Sequence, residues 1–384
     1  MSTIRSFSLY THCNDLGGKV WNPAIRWTKK YAVFVVLESD QGVQGLGECW
    51  CFDAAPDSLI AYLRTEVAPH ILGCALVDYP ALYKNLVTSA TLSARHGMLA
   101  SALSGVDVAI WDMQSRIAER PLWSFLESSV GEGNHSSKGQ VQLYGSGGLY
   151  GQDKSIDDLT SEMRKMHQSG FAIVKMKVGA LELADDIERV SAVLDSLGDS
   201  CKLIVDGVYS YSAEEAWRLY SALPDSRIEA FQSPVRASDI AGMQTLCQSG
   251  VPVMGTEAEY REEIHQLLIE RGAIKFLQTA PVACGGFTRL NEIVATLGSS
   301  NHQRIKLSLE VSSTAVALAA ACHFAASNLT VVHTEYHHVH QVFIDEFNPQ
   351  AVPGRRGWFQ LSDSPGLGIT LPMSSVKKEL ELFA

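Results

Sequence analysis

The chain reads as an α/β protein: a (β/α)-barrel preceded by a smaller α+β domain. Three observations predict this. Strand and helix patterns alternate through the second part of the chain, strands precede helices in the first part, and a polar, turn-rich stretch divides the two. A length of 384 residues suits a barrel plus an accessory domain. Hydrophobic residues make up 46% and charged residues 19%, enough apolar material to bury a large core.

Residues 1–130 form the N-terminal unit. Its strand signal is Tyr31-Ala32-Val33-Phe34-Val35-Val36-Leu37-Glu38. The turn Asp40-Gln41-Gly42 leads from it into a second strand ending Gly45-Leu46-Gly47-Glu48. Ahead of them, His12 to Arg26 holds Asn14, Gly17, Gly18, Asn22 and Pro23 and reads as a mobile loop. From about Asp57 the pattern turns helical, most clearly over Leu103 to Asp112 and on to Ala118. The divide falls at Gly131–Gly139, which is polar and rich in turn residues.

Residues 140–354 carry the barrel rhythm. Val141–Tyr144 is its first strand. A helix follows, opened by Ser155 with Asp158 in a capping box and stopped at Gly170. Next come the strand Phe171–Gly179, a helix around Asp186–Leu197, the strand Lys202–Asp206 and a helix capped by Ser212 with Glu215. Further strands are read at Ile228–Phe231, Val251–Met254, Ile274–Leu277, Ile305–Leu309 and Leu329–His333. The alternative, a doubly wound open sheet, lacks the Gly-x-Gly-x-x-Gly turn that opens its first helix.

Composition bounds the function. A net charge of -11 argues against nucleic acid and anionic membrane surfaces as partners. The eight cysteines have no paired or zinc-like spacing, Cys49-x-Cys51 being the only close pair, which fits free thiols in a reducing compartment. With no signal pattern and no apolar run of membrane-spanning length, a cytoplasmic location is expected.

The strand ends carry the chemistry. Side chains alternate along a strand, so Lys175 and Lys177 share one face while Val174, Met176 and Val178 take the other. Two ammonium groups on a buried face are costly unless used, and each is expected to lower the other's pKa. A solvated edge strand with two idle lysines is the competing reading. In a barrel, however, strand C-termini meet at one mouth. Those ends are Lys177, Asp206, Gln232, Glu257, Ala280, Glu310 and Glu335. Taken singly, each acid suits a helix cap or a surface ion pair. Together, lysines and carboxylates at successive strand ends suggest a base beside oxygen ligands for a hard divalent cation.

At this point the chain resembles the enolase superfamily, in its mandelate racemase/muconate lactonizing enzyme branch. The resemblance runs nearly end to end. It is carried by Glu38-Ser39-Asp40-Gln41-Gly42, Gly45-Leu46-Gly47-Glu48, Ser104 to Asp112, Lys175-x-Lys177, Cys284-Gly285-Gly286-Phe287-Thr288 and Ser364-Pro365-Gly366-Leu367-Gly368. It implies a modified (β/α)7β TIM-like barrel under an α+β capping domain, with the tail from about residue 355 packing back on that domain. It also implies Mg²⁺-assisted removal of the proton α to a carboxylate, a small carboxylate substrate and a homo-oligomer. Lys177 matches the family's base and Lys175 its electrostatic neighbour. Asp206, 29 residues on (206 minus 177), matches the first metal ligand. Gln232, in Phe231-Gln232-Ser233-Pro234, stands where the second carboxylate ligand belongs, and Glu257 matches the third. Glu335 matches the acid that hydrogen-bonds the substrate carboxylate.

Departures from the family pattern shape the expected reaction. Ala280 replaces the Asp that orients a histidine, or the alternative lysine base, and Glu310 occupies the histidine's position after a small insertion around Ser299–His302. Val208 replaces a polar residue. Without a second base on the opposite face, a one-base dehydration of a hydroxy acid or acid sugar is expected rather than racemisation. An amide in the ligand set implies weaker Mg²⁺ binding, which Glu259 would offset only if it reached the site. The reading from a different class is a diverged relative that binds a small acid without the family chemistry. His333, His337, His338 and His340 read as a metal cluster or as a surface loop. Trp21, Arg26 and Trp27 flank a loop that in the family closes the mouth, and half-buried packing is the competing reading.

Overall fold

The computed structural model describes residues 2–51, 56–92, 96–129, 137–223, 227–257, 259–299, 305–341, 344–345 and 357–384. Most of the expected divide at Gly131–Gly139, the insertion at Ser299–His302 beyond its first residue, and the barrel's expected end near residue 354 lie outside them.

The N-terminal strands β1 (Ile4–Asp15), β2 (Lys29–Ser39) and β3 (Gln44–Cys49) form an antiparallel sheet. One face is covered by helix α1 (His96–Ile117). Glycine explains how closely they approach: a Cβ on Gly47 would lie 2.0 Å from the Gly105 carbonyl oxygen of α1. Residues 12–15, read as the start of a mobile loop, continue β1 against β2, and Val20–Trp21 pairs with Tyr150–Gly151. Alternating polar and turn residues hid a strand whose partner supplies the hydrogen bonds.

Eight parallel strands close into the barrel in chain order: β4 (Tyr144–Ser146), β5 (Ile173–Lys177), β6 (Lys202–Asp206), β7 (Ile228–Gln232), β8 (Val253–Gly255), β9 (Phe276–Thr279), β10 (Lys306–Leu309) and β11 (Val331–His337). Two boundaries correct the sequence reading. Residues 141–142, read as the start of the first barrel strand, pair instead, together with residue 140, with Trp358–Gln360, and the barrel strand begins at Tyr144. The last strand does not stop at His333; it runs on to His337 because Glu335, Tyr336 and His337 pair with β4. Both capping boxes form, Ser155 with Asp158 and Ser212 with Glu215.

The period of two sorts each barrel strand. Val174, Met176, Leu203, Val205 and Phe231 join the large core shared with the outer helices. The inward set begins with an apolar plug of Tyr144, Ile204, Ala230, Met254 and Phe276. Two residues on from Ile204 and Ala230 stand Asp206 and Gln232, so the polar groups sit as a layer above the plug.

The capping domain is locked to the barrel by buried acids. Asp107 of α1 accepts the Thr288 backbone N–H at 2.9 Å, and Ser104 accepts the Gly285 N–H at 2.8 Å. Asp112 accepts the backbone N–H groups of Leu46 at 2.8 Å and Leu367 at 2.6 Å. Glu48 accepts from Thr314 Oγ1 at 2.6 Å, from the Ala317 N–H at 3.1 Å and from Ser313. The tail strand β12 (Lys377–Phe383) adds to the capping sheet beside β1.

Candidate active site

Lys175 and Lys177 point into the barrel mouth from the end of β5, where they line a cavity of about 160 Å³. Lys177 Nζ donates to Asp206. Lys175, 1% exposed, donates to the Gln232 carbonyl oxygen at 2.9 Å and pairs with Glu335 at 2.7 Å and Asp206 at 3.5 Å. It also lies 5.5 Å from the Tyr144 ring centroid. The expectation that each lysine depresses the other fails for Lys175. Burial pushes its pKa down, but the charges of Glu335, Tyr144 and Asp206 outweigh burial and carry it well above the ordinary value. Carboxylates, not the second lysine, dominate its surroundings.

The acids divide into two states. Burial would raise Glu335, yet the Lys175 and Lys177 ammoniums hold it below the usual range, and it accepts the Val311 N–H at 3.0 Å. Glu310 follows β10, which β11 and β4 separate from β5 along the shorter way around the ring. Its pKa is pushed up to about 8 by burial and by the charges of Glu335 and Glu257, and its Oε2 has no hydrogen-bond partner among the described residues. Glu257, two residues beyond β8, accepts from Ser233 and is raised by burial and by Asp206. Val208, Tyr209 and Ser233 around this mouth take left-handed backbone conformations, φ 45°, 62° and 43°, which such side chains rarely adopt away from working sites.

All seven residues singled out from the sequence, Lys175, Lys177, Asp206, Gln232, Glu257, Glu310 and Glu335, are thus gathered around one mouth. Ala280 is buried in the core beside the outer helices and offers no proton-transfer group. Glu259 does not reach the ligand set: Arg261 binds it through Nε at 2.9 Å and its terminal NH₂ group at 2.6 Å.

Other residues of the mouth were missed. His337 is on β11 and buried, not on a surface loop, and it lines the cavity. Burial and the ammoniums of Lys177, Lys175 and Lys30 keep it neutral. With Nδ1 accepting the Val339 N–H at 3.3 Å, its proton resides on Nε2. His333 and His340 are buried too, and among the described residues no group of three or more His, Cys, Asp or Glu side chains is arranged to hold a metal. From the capping domain, Lys30 is fully buried and donates to Ser312 at 2.8 Å and to His340 at 3.2 Å. Lys29-Lys30 looks like an exposed strand start, so only the alternation of β2 could have flagged it. Trp27, read from the sequence as flanking a loop over the mouth, does enter the cavity wall, with Asn22, Ile25 and Trp50. Trp21 and Arg26 stay outside, with the guanidinium 4.0 Å from the Trp21 ring centroid.

As a seat for a resident Mg²⁺, the donor set does not fit well. It offers two carboxylates and an amide, Lys175 holds the amide oxygen, and both Asp206 oxygens are engaged, Oδ2 by the lysines and Oδ1 by the Val208 N–H at 3.1 Å.

Comparison with known proteins agrees with this architecture. Residues 158–375 match a family model described as "Enolase C-terminal domain-like", and residues 25–126 match the "Mandelate racemase / muconate lactonizing enzyme, N-terminal domain". Arabinonate dehydratase of Saccharolobus solfataricus is 26% identical over 96% of both chains. D-galactarolactone cycloisomerase of Agrobacterium fabrum is 25% identical over 91% of both. The crystal structure of L-talarate dehydratase from Polaromonas sp. JS666, complexed with Mg and L-glucarate, shares the fold with a TM-score of 0.83 at 24% identity, covering 100% of each chain. Matched in both domains, the chain belongs to the mandelate racemase/muconate lactonizing enzyme family of the enolase superfamily.

Proposed function

We propose that the chain is an enzyme, a lyase or isomerase acting on a small carboxylate, and that it dehydrates a hydroxy acid or acid sugar with Lys177 as base. The observation that carries this reading is the pairing, in one cavity, of an amine with a carboxyl group kept protonated near neutrality. The relatives named above include an acid-sugar dehydratase and a cycloisomerase, which supports the same class of chemistry.

Lys177, in its neutral form, takes the proton from the carbon α to the substrate carboxylate, and the C–H electrons pass into the enediolate. The C–O bond at the β-carbon then breaks, and Glu310 gives its proton to the departing hydroxyl, which leaves as water. The enol tautomerises to an α-keto acid, and solvent returns the proton from Lys177 to Glu310. Neutral His337 offers an N–H to a substrate oxygen. Asp206, Gln232 and Glu257 are the residues that would hold a divalent cation, which would supply positive charge to the substrate carboxylate, but with the amide and the seated lysines they fit it poorly and no step here is routed through a metal. The test is a panel of acid sugars incubated with purified protein. Release of an α-keto acid from one of them is expected. Binding of an acid with neither product nor α-proton exchange would instead establish a binding protein.

A further inference from the structure

Two of the three side chains that would coordinate a divalent cation, Gln232 and Asp206, already hold a cation. Lys175 Nζ lies 2.9 Å from the Gln232 carbonyl oxygen, 2.7 Å from Glu335 and 3.5 Å from Asp206. These contacts use its N–H donors on a side chain only 1% exposed. Gln232 is what makes the set suit an ammonium. A carboxylate at 232 would add the negative charge that a hard dication needs, whereas the amide gives one neutral acceptor to one N–H. Lys177 also donates to Asp206, so a second nitrogen occupies the same carboxylate. A dication would sit beside the Lys175 ammonium and would have to displace both lysines from their acceptors.

We propose that this site works without a resident divalent cation, the Lys175 ammonium seated on Gln232, Asp206 and Glu335 supplying the positive charge that stabilises the enediolate. The inference rests on the proton-abstraction reading above. Lys175 keeps its protons and its three acceptors throughout, and its charge acts across the cavity on the negative charge that builds on the substrate carboxylate while Lys177 takes the α-proton. The site's electrostatic centre is thus covalently part of the chain and cannot be removed by a chelator.

Metal content, thermal unfolding with MgCl₂, and turnover test this. Purified wild-type protein is expected to carry no stoichiometric divalent metal and to show a Tm unmoved by excess MgCl₂. Turnover of the acid found in the panel should be unaffected by EDTA. The double variant K175M/Q232E removes the ammonium and adds a third carboxylate, so it should gain a Tm that rises with MgCl₂. A merely structural role for Lys175 would not produce that gain. K175M alone should lower kcat by about 10²–10³-fold, the usual cost of losing one charge-stabilising donor. Stoichiometric Mg²⁺ in the wild type, or turnover abolished by EDTA and restored by MgCl₂, overturns the inference while leaving the dehydratase reading intact. Absence of turnover with every acid overturns both.

Discussion

Glu310 and Glu335 are two glutamates at neighbouring strand ends, yet their surroundings drive them in opposite directions. Lys175 at 2.7 Å keeps Glu335 ionised. Glu310 lacks so close a cation and feels two carboxylates, so it holds its proton up to about pH 8. Because its pKa is raised, the acid form is present below about 8 and is lost as pH rises through that value. The kcat of dehydration should therefore fall on the alkaline side, and Glu310→Gln should lose dehydration by about 10²–10⁴-fold, the usual worth of a general acid. α-Proton exchange should persist in that variant, since Lys177 is untouched, and proton NMR in D₂O reads the two activities separately. Loss of both together would show that Glu310 does more than protonate the leaving group.

Elements were legible wherever local rules governed them. Ser155 and Ser212 with their N3 acids announce helix starts, and both boxes form. Ser155→Ala should cost about 1 kcal/mol of stability, measured by denaturant unfolding, because one helix N–H loses its acceptor. Errors came where a distant partner decided the structure. Val141 alternates as a strand should, but residue 359 pairs with it, so the pattern shows a strand without showing which sheet. The last barrel strand was cut short at a run of histidines, residues of weak β-preference, although pairing with β4 carries it to His337. The same misplaced boundary put His337 in a loop and hid it from the site.

At the scale of the molecule, the mouth is built by both domains. Most of the barrel's share was readable, because a two-residue period and a list of strand ends bring Lys175, Lys177, Asp206, Gln232, Glu310 and Glu335 together. Of the capping domain's share, the family resemblance set Trp27 and the loop holding Asn22 at the mouth, whereas Lys30 was not legible, since it reaches Ser312 only through the way α1 and Glu48 dock on the barrel. Glu48→Ala would leave the Ser313 and Thr314 hydroxyls and the Ala317 N–H without their buried acceptor. A loss of about 1–3 kcal/mol is expected, visible as a lower Tm. Since the cap also forms the cavity wall, KM should rise in the same variant.

The central claim is that Lys177 removes the α-proton. Its most direct test is deuterium incorporation at the substrate α-carbon, followed by proton NMR in D₂O for wild-type protein and Lys177→Ala with the acid that the panel identifies. Exchange by the wild type, reduced by about 10²–10⁴-fold in the variant with its fold intact by circular dichroism, is the predicted result. Undiminished exchange in Lys177→Ala would contradict it.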